Sequence, residues 1–286
     1  MAISPFMAIF KDKTAIVTGG ASGIGRALAI EMSLYGTNVV IADLQFDAAD
    51  DVLKTIHALG GRGSAEYIDV RRPDDMEDLV RKTAARHGAV DFMFNNAGIG
   101  IGGRVSRYQL EHWKQIVDVN LMGVIHGIQA VYPLMREQGH GHIVNTSSVA
   151  GLLPVPMAAA NAMTKHAVVG LSTSLRPEAA AFGVRVSVLC PGVVRTPILK
   201  NGGRFGVIAT PVPREIQLKT WEWMRPMEPH AFARKALREI AADKPVIVIP
   251  SWWKWIYRMH ALFPGIGHAL VRKMYDDFEE GIRQFG

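Results

Sequence analysis

One stretch constrains this chain more than any other: Thr18-Gly19-Gly20-Ala21-Ser22-Gly23-Ile24-Gly25. It follows a short apolar run, Thr14–Thr18, that reads as a strand, and Gly25–Tyr35 continues it as a helix. Glycines allow a tight turn and a close approach of backbone to ligand, and a helix N-terminus offers free N–H groups to negative charge. A glycine cluster alone is a weak signal. Here it sits between a strand and a helix, and an acid, Asp43, closes the next apolar run Val39-Val40-Ile41-Ala42, which makes it strong. A carboxylate at that point accepts hydrogen bonds from both hydroxyls of an adenosine ribose and repels a 2′-phosphate. Gly19–Gly25 holds no Lys or Arg to welcome such a phosphate. The expectation is therefore NAD(H) rather than NADP(H), bound by Gly19, Ser22, Gly23, Ile24, Gly25, Asp43 and Leu44. The alternative is that Asp43 only caps the next turn.

The same alternation continues. Strands are expected at Asn38–Ala42, Ser64–Asp69, Val90–Asn95, Gly141–Thr146, Val184–Leu189 and Val246–Ile249. Helices are expected near Asp47–Leu59 and over Pro73–Arg86, Trp113–Arg136, Ala158–Phe182 and Pro229–Ala242. Short, continuous apolar strands separated by helices indicate a sheet covered on both faces. The fold class is α/β: a Rossmann-type doubly wound parallel sheet with helices on both faces, in a single domain. Residues 13–250 form this domain, 1–12 an N-terminal lead-in and 251–286 an extension. Pro197–Met227 shows no clear period and follows a strand end, where ligands bind in open α/β sheets. It reads as a mobile substrate lid, with an ordinary packed loop as the alternative.

With 286 residues, 49% of them hydrophobic, the chain can bury a large core. The net charge of +6 contains no run of five like charges, so no nucleic-acid partner is expected. One cysteine, Cys190, cannot form an internal disulfide and suits a reducing, cytoplasmic setting; it reads as a buried strand-end residue. No stretch approaches the ~20 apolar residues of a membrane span. Met1–Phe10 reads as a disordered lead-in or an oligomer contact. No metal site is expected. The extension is unusual: Trp252-Trp253-Lys254-Trp255-Ile256-Tyr257-Arg258 is dense in aromatics and bases, and Ser251–Lys273 holds four Lys/Arg and no acid. Such a composition suits a peripheral membrane contact. Packing against the lid or a neighbouring subunit is favoured instead, because Pro264, Gly265 and Gly267 interrupt any long amphipathic helix.

The spacing of Thr18–Gly25 resembles the glycine loop of the short-chain dehydrogenase/reductase family. The resemblance runs from about Lys13 to Pro250. Asp69-Val70 resembles the pair that flanks the adenine. Asn95-Asn96-Ala97-Gly98 resembles the N-N-A-G motif, and implies that Asn96, Ala97 and Gly98 line the adenosine half of the cofactor. Pro191-Gly192-Val193-Val194-Arg195-Thr196 resembles the P-G segment, with Pro191 and Gly192 at the cofactor and Val194 and Thr196 holding its carboxamide. Asp118-Val119-Asn120 carries the family's helix asparagine, and Ser148-Val149-Ala150-Gly151 has the family's serine-to-glycine spacing, which favours Ser148 over Ser147. Lys165 would hold the nicotinamide ribose and supply positive charge.

Four residues before Lys165, on the same helical face, the family carries a proton-transferring tyrosine; this chain has Asn161. An amide has no proton to titrate in water's range, though it can donate a hydrogen bond. The catalytic set implied is thus Asn120, Ser148, Asn161 and Lys165. Three accounts of position 161 stand: a Tyr→Asn variant of a working enzyme, an enzyme that relays the proton by water through Lys165 and Asn120, and a cofactor-binding protein without turnover. His126 and His166 are read as structural or surface residues. The apolar segment Leu152–Met157, with Leu153 and Met157, and the lid residues Trp221 and Trp223 imply an apolar secondary alcohol or its ketone as substrate. The resemblance also implies a homodimer or homotetramer built on the helices Trp113–Arg136 and Ala158–Phe182.

Overall fold

The computed structural model describes residues 5–285 apart from 201, 211 and 213. Among the described residues nine strands follow one another: β1 Thr14–Thr18, β2 Asn38–Asp43, β3 Arg62–Tyr67, β4 Phe92–Asn95, β5 Ile101–Gly102, β6 Gly141–Thr146, β7 Val184–Pro191, β8 Val207–Ile208 and β9 Val246–Ile249. Seven form one sheet in the order β3-β2-β1-β4-β6-β7-β9. Every pairing in it is parallel; Val17, for example, lies between Ile41 of β2 and Phe94 of β4. The chain winds outward one way from β1 to β3, then reverses and winds the other way from β4. The crevice above β1 and β4 is therefore the topological switch point, where open α/β sheets bind ligands.

Alternation of side chains along each strand divides the core in two. On one face Ala15, Val17, Val39, Ile41, Phe92 and Phe94 pack against the helices Gly23–Leu34, Phe46–Ala58 and Pro229–Ala241. On the other, Ile16, Val40, Met93, Ile143 and Val186 pack against Pro73–His87, Gly123–Gln138 and Ala159–Ala180. Cys190 is a buried residue of this second layer.

Several boundaries differ from the sequence reading. The third strand lies at Arg62–Tyr67 rather than Ser64–Asp69; it is an edge strand of mainly polar residues, so hydrophobicity does not mark it. The expected helix Trp113–Arg136 is two helices, Leu110–Val117 and Gly123–Gln138, joined by a π-helical turn at Asp118–Met122. The segment Pro197–Met227 is not an irregular loop. It contains β8, paired in parallel with β5, and the helix Arg214–Trp223.

Both ends also correct the expectation. Residues 1–4 lie outside the described residues, but from Phe6 onward the N-terminus is part of the fold rather than a disordered lead-in. Phe6 meets Tyr35 edge-on at 5.5 Å. Phe10 is fully buried, 5.1 Å from Phe92, and its carbonyl accepts the Thr37 hydroxyl at 2.8 Å. At the other end, Trp252–Leu262 and Pro264–Phe285 are two helices. Pro264 opens the second helix, where its missing N–H costs nothing, and so separates two helices instead of preventing them. Gly267 lies where the helices touch: a Cβ there would stand 2.0 Å from His260 Nδ1. No helix among the described residues is long and apolar enough to cross a membrane.

Burial of Phe10 predicts that Phe10→Ala costs ~3–5 kcal/mol, read as a lowered urea midpoint at unchanged slope. A cost below ~1 kcal/mol would show that residues 5–12 are dispensable to the core.

Candidate active site

The glycine loop is built on close packing. Gly19 and Gly23 have φ of +63° and +54°, which favours glycine. A Cβ on Gly25 would stand 2.2 Å from the Gly19 carbonyl oxygen, so only glycine lets the helix Gly23–Leu34 approach the turn. The helix N-cap, Ser22, makes no side-chain cap hydrogen bond. Asp43, at the end of β2, ties itself to the loop: Oδ2 accepts from Ala21 N at 3.0 Å and Oδ1 from Gln45 N at 2.9 Å. A carboxylate has about four acceptor positions, so two remain for a ligand. Arg204 reaches this end of the crevice and donates to Gln45 Oε1 at 3.1 Å.

Thr18, Asn96 and Thr146 knit the ends of β1, β4 and β6 together. The Thr18 hydroxyl accepts from Asn96 N at 2.9 Å and Ala97 N at 3.1 Å, Asn96 Nδ2 donates to Thr18 O at 3.1 Å, and Thr146 Oγ1 donates to Asn96 Oδ1 at 3.3 Å. Asp69 is engaged by its neighbour: Arg71 donates to it from Nε and from its main-chain N–H, and this holds the Asp69 carboxyl below its ordinary range.

Asn120 sits in the π turn, fully buried, with Oδ1 accepting from Ile99 N at 2.9 Å and Nδ2 donating to Ile99 O at 3.0 Å. Such turns re-aim side chains and recur at functional sites. Asn161 lies in the first turn of the helix Ala159–Ala180, its Oδ1 3.5 Å from Asn120 Nδ2. One turn on, buried Lys165 donates from Nζ to Thr146 O at 3.0 Å. Ser147 and Ser148 diverge. The Ser147 hydroxyl donates to Lys165 O at 2.8 Å, whereas Ser148 Oγ accepts from Ala150 N at 3.1 Å and donates to Pro191 O at 3.4 Å.

These residues surround one cavity of about 2400 Å³. Its wall carries Gly19, Ser22, Gly23, Ile24, Asp43, Leu44, Asp69, Val70, Asn96, Ala97, Gly98, Lys165, Pro191, Gly192, Val194 and Thr196 at one side. Ser148, Asn161, Leu153, Met157, Trp221 and Trp223 line it further along. Gly25 and Asn120 stand behind the wall: the first packs on Gly19, the second holds Ile99. Met157, a non-glycine residue at φ +62°, carries backbone strain of the kind that clusters at ligand sites. His126 bonds Val70 O and His166 bonds Ala162 O on the exposed helix face. No cluster of metal-ligating side chains occurs among the described residues.

Sequence reasoning missed the C-terminal helices as part of this cavity. Trp252, Trp253, Trp255, Phe263, Leu270 and Met274 all line it. The signal is a set of apolar residues four apart, Ile266, Leu270, Met274 and Phe278, which the proline and glycines near residue 264 mask.

Burial pushes the Lys165 ammonium down to about 8, with Cys190 acting weakly in the opposite sense, and pushes the Cys190 thiol up to about 12. The lysine pKa is lower folded than unfolded, so the unfolded chain binds more protons between about pH 8 and 10.5. Stability therefore rises with pH through that window. The cost of burying the charge, roughly 3 kcal/mol by ~1.36 kcal/mol per unit, is fully present below pH 8. Lys165→Met is expected to abolish this rise in urea titrations from pH 7.5 to 10. An unchanged rise in the variant would assign it to another group.

Comparison with known proteins agrees with this geometry. The family model for short chain dehydrogenase matches residues 13–204. Cyclohexanol dehydrogenase of Acinetobacter sp. (strain SE19) is 35% identical over 66% of this chain and 76% of its own. D-beta-hydroxybutyrate dehydrogenase of Rhizobium meliloti (strain 1021) is 32% identical over 72% of this chain and 83% of its own. Among solved structures, a short chain dehydrogenase/reductase from Burkholderia phymatum in complex with NAD superposes with a TM-score of 0.79 at 29% identity, over 90% of this chain and 95% of that one. Family match, identity and fold converge on one assignment: this chain belongs to the short-chain dehydrogenase/reductase family.

Proposed function

We propose that this protein is an NAD(H)-dependent oxidoreductase that interconverts an apolar secondary alcohol and its ketone, with Asn161 at the position of proton transfer. The observation that carries the reading is the meeting of the glycine loop, Asp43, Ser148, Asn161 and Lys165 on one cavity wall. The crevice fits a dinucleotide. Uncapped helix N–H groups face the cavity at Ser22–Ile24, Asp43 keeps free acceptor positions for a ribose, and no cation lies within the loop itself. The nicotinamide, when bound, exchanges hydride with the carbinol carbon.

The chain's own residues do the rest. Ser148 holds the substrate oxygen through its hydroxyl. Lys165 holds a ribose hydroxyl and places positive charge near the oxygen. Asn120 fixes the segment between β4 and β5 at Ile99, and through its π turn anchors the relay water. Asn161 donates a hydrogen bond to the oxygen from its amide but neither gives nor takes a proton; the hydroxyl proton passes to or from the relay water and Lys165. Leu153, Met157, Trp221 and Trp223 contact the apolar body of the substrate. The helices Leu110–Gln138 and Ala159–Ala180 are the proposed faces of a homodimer or homotetramer. Because Asn161 cannot titrate, a second reading also has support: an NAD(H)-binding protein without turnover, in which the same crevice acts as a sensor.

NADH formation from cyclic and aliphatic secondary alcohols, followed in this chain beside Asn161→Tyr, separates the two. A gain of ~10²–10⁴ in kcat is expected for the variant, the usual worth of general acid–base catalysis. Equal rates would show that the proton takes another route, and NADH binding with silence from both proteins would favour the sensor. For the cofactor, NADH is expected to bind more tightly than NADPH in a fluorescence titration, and Asp43→Ala is expected to narrow the ratio at least tenfold. Tighter binding of NADPH to the unmodified chain would refute the assignment of Asp43.

A further inference from the structure

The cavity is larger than a dinucleotide and a small alcohol require. Ligand sites commonly enclose ~300–1,000 Å³; an occupant at the top of that range leaves ~1,400 Å³ of the 2400 Å³ here. The two C-terminal helices line the same cavity as Ser148 and Asn161. In Pro264–Phe285, the residues on the cavity are Ile266, Gly267, Leu270, Val271, Met274 and Phe278, together with the charged Lys273 and Asp277. Their spacing of three and four is one helical face. That face is mainly apolar and yet not filled by protein: Ile266 is 61% exposed and Leu270 63%. In Trp252–Leu262, Trp255 is on the cavity and 67% exposed.

The two helices are fastened at both ends and span the space between. Near its start, Trp253 lies against Gly192, where a Cβ would stand 2.3 Å from the indole Nε1. Near its end, Arg104, in the turn after β5, forms a two-pronged salt bridge with buried Glu279. The roof is thus held above the site while its apolar inner face stays uncovered. This surface is continuous with the reaction centre and lies beyond the residues that the family model matches, 13–204. An apolar face left open over a cavity is stabilised by an apolar occupant.

We propose that the substrate is a lipid-like secondary alcohol or ketone, whose carbinol end lies at Ser148 and Asn161 and whose long apolar body runs along Ile266, Leu270, Met274 and Trp255. The proposal rests on the dehydrogenase reading for the identity of the reacting end, but the apolar channel is testable without turnover. Selectivity comes from the roof: each methylene placed against it is withdrawn from water.

Three measurements test this: turnover, ligand quenching and vesicle binding. Turnover of sec-butyl, sec-octyl and sec-tetradecyl alcohols, kept below their aggregation limits, is compared in the Asn161→Tyr protein with and without Leu270→Ser and Met274→Ser. Binding of a methyl ketone with a brominated tetradecyl chain is read in the unmodified protein by quenching of the cavity tryptophans. Expected are a rise in kcat/KM of about two- to fourfold per methylene, at most ~0.8 kcal/mol each, a collapse of the long-to-short ratio by tenfold or more in the serine variants, and saturable quenching that these variants weaken. Val271→Trp, which fills the channel instead of polarising it, is expected to lower the same ratio. Saturable quenching without turnover of any alcohol sustains the channel and removes the dehydrogenase reading. Turnover that is flat with chain length overturns the channel and leaves that reading in place. Loss of binding to phosphatidylcholine–phosphatidylglycerol vesicles in the serine variants, with an unchanged long-to-short ratio, also overturns it and assigns the face to a bilayer.

Discussion

The contact between Gly25 and the carbonyl of Gly19 governs the arrangement of the whole crevice. With no side chain between them, the first helix starts directly above β1, and its N-terminus opens at the switch point of the sheet. Asp43 then reaches the loop from β2, and Thr18 reaches Asn96 from β1. The ends of β1, β2 and β4 are tied to one another by these hydrogen bonds around the Gly19–Gly25 contact. A Cβ there would force backbone apart, and the ends of β1, β2 and β4 would lose their common register.

Above this frame stands a second, polar cluster with a different logic. Lys165 is deeply buried, and its ammonium is satisfied by a main-chain carbonyl rather than by a carboxylate. A buried ammonium without a counter-charge titrates at lower pH, which is how burial brings a lysine into the range useful to chemistry. Asn120, locked to Ile99 on both its amide atoms, supplies rigidity instead of charge.

What the sequence disclosed followed from local rules. The glycine loop, its flanking strand and helix, and the acid at the end of β2 are close in sequence, so their spacing carries their geometry. Most strands are buried on both faces and stand out as apolar runs. The edge strand β3, Arg62–Tyr67, with Ala65 as its one aliphatic residue, does not. Phe10 is core only because Tyr35 and Phe92 come to it from elsewhere in the chain, and no local pattern records that. The π turn around Asn120 interrupts a helix without a proline or glycine inside it, so the periodicity ran on across it. The C-terminal helices were obscured by composition: Pro264 and Gly267 lower intrinsic helix propensity, yet one occupies a first turn and the other a crossing point, where each is suited.

The attachment of Lys165 has a further consequence. Its side chain is tied to Thr146 and its carbonyl to Ser147, consecutive residues at the end of β6. The helix is therefore stitched to the sheet at that level, independently of residue 161, whose amide meets only Asn120 at 3.5 Å across the gap. Position 161 is an interchangeable fitting on a fixed mount. A side chain at 161 can therefore be exchanged while the attachment of the helix to the sheet, made through Lys165, goes unaltered, so that what the cavity wall presents there and the architecture behind it are free to change on separate schedules.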